Sequence, residues 1–213
     1  MTDIAESPTL TEPSVTEGAA ETAGPPEGNP GLIGLPLIIA GAVGLGFTNT
    51  GIVSTSAAPV PVLLSGTAVG LLITTIWAAA LRQNVTATIY GTFFGFYGSY
   101  SVLSLGLAHN WFGIPAGGVQ ETVSLWLASW LLTIGILTVL TIRLPWTFPV
   151  LFAVVDVALA LLLLGNVTGS VAATRLGGWA VFVFVAFVVY FWAAALWQET
   201  GGRALPLGRP LKV

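Results

Sequence analysis

Residues 147–164 read TFPVLFAVVDVALALLLL, a stretch with a single charged side chain, Asp156. Eighteen helical residues approach the ~20 that are needed to cross about 30 Å of hydrocarbon. Five further apolar runs of similar length occur in the chain, at 32–53, 60–81, 86–107, 123–142 and 179–197. The sequence therefore predicts an all-α integral membrane protein with six transmembrane helices.

The composition supports this fold class and argues against most enzymes. Of 213 residues, 55% are hydrophobic and 7% are charged, far below the roughly 25% charged residues of soluble domains. The chain has no Cys, one His and one Met, so we expect no metal site and no cofactor. An intramembrane enzyme needs a nucleophile–base pair, paired carboxylates or a His-rich metal site, whereas this chain offers Asp156 alone at membrane depth. We therefore expect no catalytic residues. The composition does not exclude a structural or partner-binding membrane protein.

The charges predict the domain boundaries and the orientation. Residues 1–28 are acidic and poor in large apolar side chains, which predicts a disordered cytoplasmic tail. A transmembrane domain follows at 29–199, and a C-terminal tail at 200–213. An N-terminus inside the cell places five of the six Lys and Arg residues on the cytoplasmic side, with only Arg175 outside. We therefore expect a multi-pass protein of the plasma or inner membrane with both termini in the cytoplasm.

Small residues mark two of the predicted helices. In helix one they recur four apart, as Ala40 with Gly44 and Ala42 with Gly46, and in helix three as Gly91 with Gly95. Such spacing lets helix backbones approach closely in lipid. It predicts that helices one and three form a tightly packed pair beside any pathway.

Several short motifs occur in a fixed order along the chain. Helix one opens with NPGLIGL (29–35) and ends with NTG (49–51), and Asn84 precedes helix three. Gly165-Asn166 ends helix five, Gly178-Trp179 begins helix six, which contains Tyr190, and the tail contains GRALPLG (202–208). From about residue 29 to 209, this order resembles the acetate uptake transporter family, whose motif residues are carried here by Asn29, Pro30, Gly34, Leu35 and Asn84. The chain departs from the family by lacking a Glu near the end of helix two, and by having Asp156 where a Thr-like residue is expected.

The resemblance implies a six-helix protomer around a central pathway, similar to the urea and amide channel fold, in a homohexamer within the lipid bilayer. It implies a hydrophobic constriction at Ile38, Phe94 and Val155, with Tyr97 as the alternate for Phe94. Thr48, Asn49 and Tyr97 are candidate polar groups of the pathway. The implied substrate is acetate or a similar small carboxylate, with succinate as a second candidate, carried by a channel or by proton symport. A channel for small neutral amides such as urea is the alternative, and no nucleic-acid partner is expected.

Asp156 is a candidate proton site. An ionised carboxylate at that depth costs about 2.5–3.5 kcal/mol on insertion scales, so such a residue usually faces the protein interior or a water-filled cavity. One interpretation is that Asp156 carries or senses a proton that accompanies acetate. The other is that it hydrogen-bonds a neighbouring helix and has a purely structural role.

Overall fold

The computed structural model describes residues 28–55 and 60–211. These residues form six α-helices, and no β-strand occurs among them. The helices are α1 (Gly31–Asn49), α2 (Val60–Ala80), α3 (Asn84–Ala108), α4 (Val119–Leu140), α5 (Thr147–Thr168) and α6 (Val171–Glu199), with a short 3-10 helix, Ala116–Gly118, before α4. The prediction of an all-α fold with six helices is confirmed. The acidic segment predicted to be disordered lies, apart from Gly28, outside the described residues.

Five of the helices are both long enough and apolar enough to span a membrane, and α3 is the exception. Although α3 has 25 residues, its sequence is interrupted by Thr, Tyr, Ser and Gly, which lower its mean hydropathy. The fold is that of a multi-pass membrane protein. The lower hydropathy of α3 suits a helix that faces an internal cavity rather than lipid.

The helices form a ring in chain order. Each one packs against its neighbours in sequence, and α6 closes the ring by packing against α1. The approach of α6 to α1 is close enough to require glycine, because a Cβ on Gly178 would lie 2.6 Å from the backbone nitrogen of Thr50. The backbones of α3 and α4 approach each other least of all neighbouring pairs.

Aromatic side chains close the seam between α3 and α4. The indole N–H groups of Trp126 and Trp130 both donate to the hydroxyl oxygen of Ser99, at 2.9 and 3.1 Å. The Trp126 ring also lies 5.0 Å from that of Phe96 and 4.6 Å from that of Tyr100, measured between centroids. This part of the wall is therefore made of side chains rather than of packed backbones.

The prediction of a tight pair between α1 and α3 is wrong, because α2 lies between them in the ring. Of the small residues in that pattern, Gly44 makes room for Leu63 of α2 and Gly46 for Phe182 of α6. Two other glycines of α1 accommodate tyrosine rings that reach across from α3. A Cβ on Gly34 would lie 2.5 Å from the Tyr90 ring, and one on Gly41 would lie 3.0 Å from the Tyr97 ring. On α3, Gly95 makes room for Trp130 of α4.

The last helix begins two turns earlier than the sequence predicts. The stretch with Arg175, Gly177 and Gly178 has the composition of a loop. The sequence therefore predicts that the last helix begins at residue 179. In the structure, Gly169 ends α5 with a φ of 69°, and the Ser170 hydroxyl caps α6 by accepting from the backbone N–H of Ala173 at 3.3 Å. The cap therefore fixes the helix start upstream of the glycine pair.

Candidate functional site

Two cavities lie inside the ring, one toward each end. The near cavity, of about 280 Å³, lies where α1 begins and α6 ends. The far cavity, of about 220 Å³, lies where α1 ends and α6 begins. Pockets for drug-sized ligands have volumes of about 300–1,000 Å³, so each of these cavities suits a smaller solute.

Both cavities have walls that are mostly apolar, with a few uncharged polar groups. The polar residues of the near cavity are Asn29, Gln83, Thr86, Tyr90 and Gln198. Those of the far cavity are Asn49, Tyr97, Tyr100, Asn166 and Thr174, together with the indole of Trp126. No charged side chain of the described residues lines either cavity. The lining can therefore hydrogen-bond a solute without neutralising its charge.

Phe93 of α3 and Phe184 of α6 line both cavities and separate them. Their rings are stacked, with centroids 5.8 Å apart and an interplanar angle of 20°. The Phe93 ring also lies 6.2 Å from Phe152 and 6.3 Å from Tyr97, and its side chain is only 2% exposed. We call the pair of Phe93 and Phe184 the aromatic divide.

The three residues predicted to form the constriction lie at different places. Ile38 lines the near cavity and Val155 lines the far cavity, and both are buried. Phe94 is half-buried and lines neither cavity. One residue along an α-helix turns a side chain by about 100°, so Phe93 and Phe94 point in different directions. Sequence reasoning missed Phe184, because the apolar run from Val181 to Val188 does not show which side faces inward.

Two of the three predicted polar groups reach the far cavity. Asn49 and Tyr97 both line it, and neither side chain has a hydrogen-bond partner in the described part of the chain. Thr48 does not line it, since its hydroxyl donates to the backbone carbonyls of Gly44 and Leu45 at 3.0 and 3.2 Å. Asn49 and Tyr97 are therefore free to hydrogen-bond a solute.

The motif at the start of α1 forms one wall of the near cavity. The side-chain oxygen of Asn29 accepts from the backbone N–H of Gly31 at 3.1 Å, which orders the first turn of the helix. Pro30 is fully buried, and Asn29 and Leu35 line the cavity. This part of the motif both starts the helix and shapes the cavity.

Of the remaining motif residues, Gly34 has a packing role and Asn84 is exposed. Gly34 leaves room for the ring of Tyr90, whose hydroxyl lies on the near-cavity side of α1. Asn84 begins α3, and its backbone carbonyl accepts from the hydroxyl of Thr88 at 2.9 Å. Asn84 lines neither cavity.

Asn166, which ends the predicted fifth helix, connects α5 to α4 at the far cavity. Its amide N–H groups donate to the backbone carbonyl of Gln120 at 3.0 Å and to the hydroxyl of Ser124 at 2.9 Å. The Gln120 amide donates in return to the carbonyls of Asn166 and Val167. This reciprocal set of bonds fixes the wall of the far cavity at its mouth.

Asp156 faces α4 and lines neither cavity. Its Oδ2 accepts from the hydroxyl of Thr138 at 2.6 Å. Its Oδ1 is buried and has no hydrogen-bond partner among the described residues, and a Cβ on Gly135 would lie 3.9 Å from it. The carboxyl group is therefore placed at the contact between α4 and α5, outside the lining of both cavities.

The described residues contain no group of three His, Cys, Asp or Glu side chains that could hold a metal ion.

A model of the GPR1/FUN34/yaaH family matches residues 14–202. The chain is similar to Ammonia transport outward protein 2 of Saccharomyces cerevisiae, with 32% identity over 130 residues, or 58% of this chain. The matched segment spans 44% of the yeast protein, so the chain covers less than half the length of this relative.

The fold is similar to that of a solved structure described as the bacterial acetate channel SatP. The TM-score is 0.73 at 18% sequence identity, and the match covers 86% of this chain and 100% of that chain. At this identity the likeness concerns the arrangement of the helices. It agrees with a ring of membrane helices.

Proposed function

Because the chain belongs to the GPR1/FUN34/yaaH family, we propose that it carries acetate or a similarly small monocarboxylate across the cell membrane. The family membership confirms the resemblance that the motifs indicated. The observation that carries the proposal is the arrangement of two cavities on either side of the aromatic divide. Two chambers in series, each sized for a small solute, are the geometry of a transport pathway rather than of a closed binding site.

The chemistry of the lining favours a monocarboxylate over a more highly charged anion. The hydroxyl of Tyr97 and the amide of Asn49 can donate to carboxylate oxygens, and the apolar walls can contact a methyl group. Without a cation in the lining, each buried charge keeps most of its desolvation cost. That cost is larger for the two charges of succinate than for the single charge of acetate.

The narrowest point of the pathway is proposed at Phe93, with Ile38 and Val155 on its two sides. The two rings stack with centroids 5.8 Å apart, so a solute that passes between them requires the rings to part. Hydrophobic constrictions control passage because a solute has to give up part of its hydration shell there. This proposal moves the α3 position of the constriction from Phe94 to the preceding residue.

A small neutral solute is the second candidate. The uncharged lining of both cavities suits such a solute, and the yeast relative is named for ammonia transport. Urea and ammonia therefore belong in the same experiment as acetate. A channel and a proton-coupled symporter are distinguished by whether acetate uptake follows an imposed pH gradient.

We propose that the protomers assemble as a hexamer with both termini in the cytoplasm. The exposed face of α4 supports an assembly, since only Leu127 and Ile134 of its 22 residues are buried. Several large apolar side chains of that helix are exposed, among them Leu125, Leu132, Val139 and Leu140. Such a face is suited to contact lipid or a neighbouring protomer.

Proteoliposomes that contain the purified protein test the function directly. Labelled acetate, urea and ammonia are offered in parallel, with empty liposomes as the control. Acetate should enter faster than through the empty bilayer and faster than urea. Uptake of urea or ammonia without acetate would establish the second candidate, and no uptake of any of the three would leave a structural or partner-binding role.

A further inference from the structure

The segment that follows α6, Gly202–Pro210, lies back against the end of the bundle, and we call it the strap. Two hydrogen bonds from the membrane helices hold consecutive carbonyls of it. The hydroxyl of Tyr190 on α6 donates to the Pro206 carbonyl at 2.7 Å, and that of Thr147 on α5 donates to the Leu207 carbonyl at 2.7 Å. The strap therefore bridges two helices that both line the near cavity.

Further contacts fix the end of the strap. The backbone N–H of Trp146 donates to the Arg209 carbonyl at 3.0 Å, and Pro145 and Pro210 form an antiparallel bridge. Gly208 has a φ of 88°, and a Cβ at this position would collide with the indole of Trp146. Only glycine satisfies both the backbone angle and the close approach of the ring.

Two leucines of the strap point into the near cavity. Leu205 and Leu207 both line it, and Leu207 also packs against the hydrophobic core. They lie between Arg203 and Arg209 in a largely exposed segment, in which Leu205 is itself 37% exposed and Leu207 is half-buried. Apolar side chains at alternate positions of an exposed segment are explained by the cavity that they cover.

We propose that the strap is the size filter of the near mouth, with Leu205 and Leu207 narrowing the entrance to the near cavity. Tyr190 and Thr147 are positioning residues that hold these leucines in place. The proposal deepens the proposed function, because it treats the near cavity as part of the transport pathway. A hydrogen bond of typical net strength raises the ratio of docked to undocked strap about 5-fold. Loss of either anchor, the hydroxyl of Tyr190 or that of Thr147, should therefore lower this ratio by the same factor.

The absence of Cys from the chain allows a test that does not depend on transport. A reporter thiol is placed in the near cavity by Ala195→Cys and, in a separate protein, in the far cavity by Ala158→Cys. The rates of modification by a small and a bulky methanethiosulfonate reagent are measured on the full-length protein in detergent. The strap is loosened by Tyr190→Phe and Thr147→Val, singly and together.

The loosened variants should speed the reaction of the Ala195→Cys thiol, about 5-fold per lost anchor, and more for the bulky reagent than for the small one. The Ala158→Cys thiol should react at an unchanged rate. Thr133→Val is the matched control, because that hydroxyl bonds the Ser129 carbonyl within its own helix. Leu207→Ala keeps both anchors and should also favour the bulky reagent.

Unchanged rates at Ala195→Cys in both the loosened variants and Leu207→Ala would overturn the proposal. Equal acceleration of the near and far reporters would also overturn it, since that result means a general loosening of the bundle. The ratio of butyrate to acetate flux in the same variants then links the filter to transport. If the reporter rates change as expected while no carboxylate flux is found, the strap covers the cavity as proposed and the transport function is what fails.

Discussion

Replacing Phe93 with Ala should open the aromatic divide and join the two cavities. Phe93 contributes to both linings, and its ring stacks on Phe184 at 5.8 Å. The neighbouring Phe94 is a matched control, because it is the same residue type on the same helix and lines neither cavity. Phe94→Ala should therefore leave the size selectivity of the pathway unchanged.

The magnitude follows from the ring contact that passage has to break. An aromatic pair of this geometry is worth about 0.5–1.5 kcal/mol beyond its area burial. If parting the Phe93–Phe184 pair contributes to the barrier, removing one ring should raise acetate flux by about 2- to 12-fold. The gain should be larger for butyrate, which needs a wider opening.

The assay is uptake of labelled acetate, propionate and butyrate into proteoliposomes with Phe93→Ala, Phe94→Ala and the natural protein. Deleting a Phe from a packed core costs about 3–5 kcal/mol, so folding is checked by gel filtration, and Phe93→Leu serves as a milder variant. Unchanged selectivity in a folded Phe93→Ala protein would refute the position of the constriction. A widened pathway in Phe94→Ala, or in Tyr97→Ala alone, would place the constriction at one of those residues instead.

Three further predictions concern topology, protonation and assembly. Reporter fusions at Val213 and in the loop 110–118 should report opposite sides of the membrane, and the same side for both would contradict the orientation. Asp156→Asn should flatten the pH dependence of acetate uptake in a well-expressed protein. Thr138→Val keeps the carboxyl group but removes the hydroxyl that bonds both it and the Ile134 carbonyl, and this variant should leave a pH dependence in place. Natural behaviour of Asp156→Asn would make the carboxyl a structural group. Native mass spectrometry in mild detergent should give the mass of six protomers, and a monomer in both detergent and native lipid would contradict the hexamer.

The sequence predicted the helix number and most helix positions because the physical signal is strong. A helix in lipid must satisfy its backbone internally and present about 20 apolar residues, which leaves little ambiguity in a run such as 147–164. The start of α6 was less well predicted, because a single capping hydroxyl, that of Ser170, outweighs two glycines. Caps depend on local geometry that composition does not reveal.

The site was predicted less completely than the fold. Asn49 and Tyr97 could be identified as candidate polar groups, but Phe93 and Phe184 could not, because in an apolar helix every face has a similar composition. The hydrogen-bond partner of Asp156 could not be predicted either, because Thr138 lies on a different helix and nothing in the sequence pairs the two residues. The strap shows the same limit, because the motif at 202–208 does not reveal that Tyr190 and Thr147 bind it.

The aromatic divide has a consequence for the energy metabolism of a cell that contains this protein. Phe93 and Phe184 offer water no hydrogen-bonding side chain between the two cavities. A continuous file of water molecules would let protons hop from one face to the other and would dissipate the electrochemical gradient. A stacked aromatic contact in the proposed pathway interrupts such a file, as hydrophobic constrictions in channels do. If the proposed pathway is correct, the closed rings therefore prevent proton leak while no solute is passing.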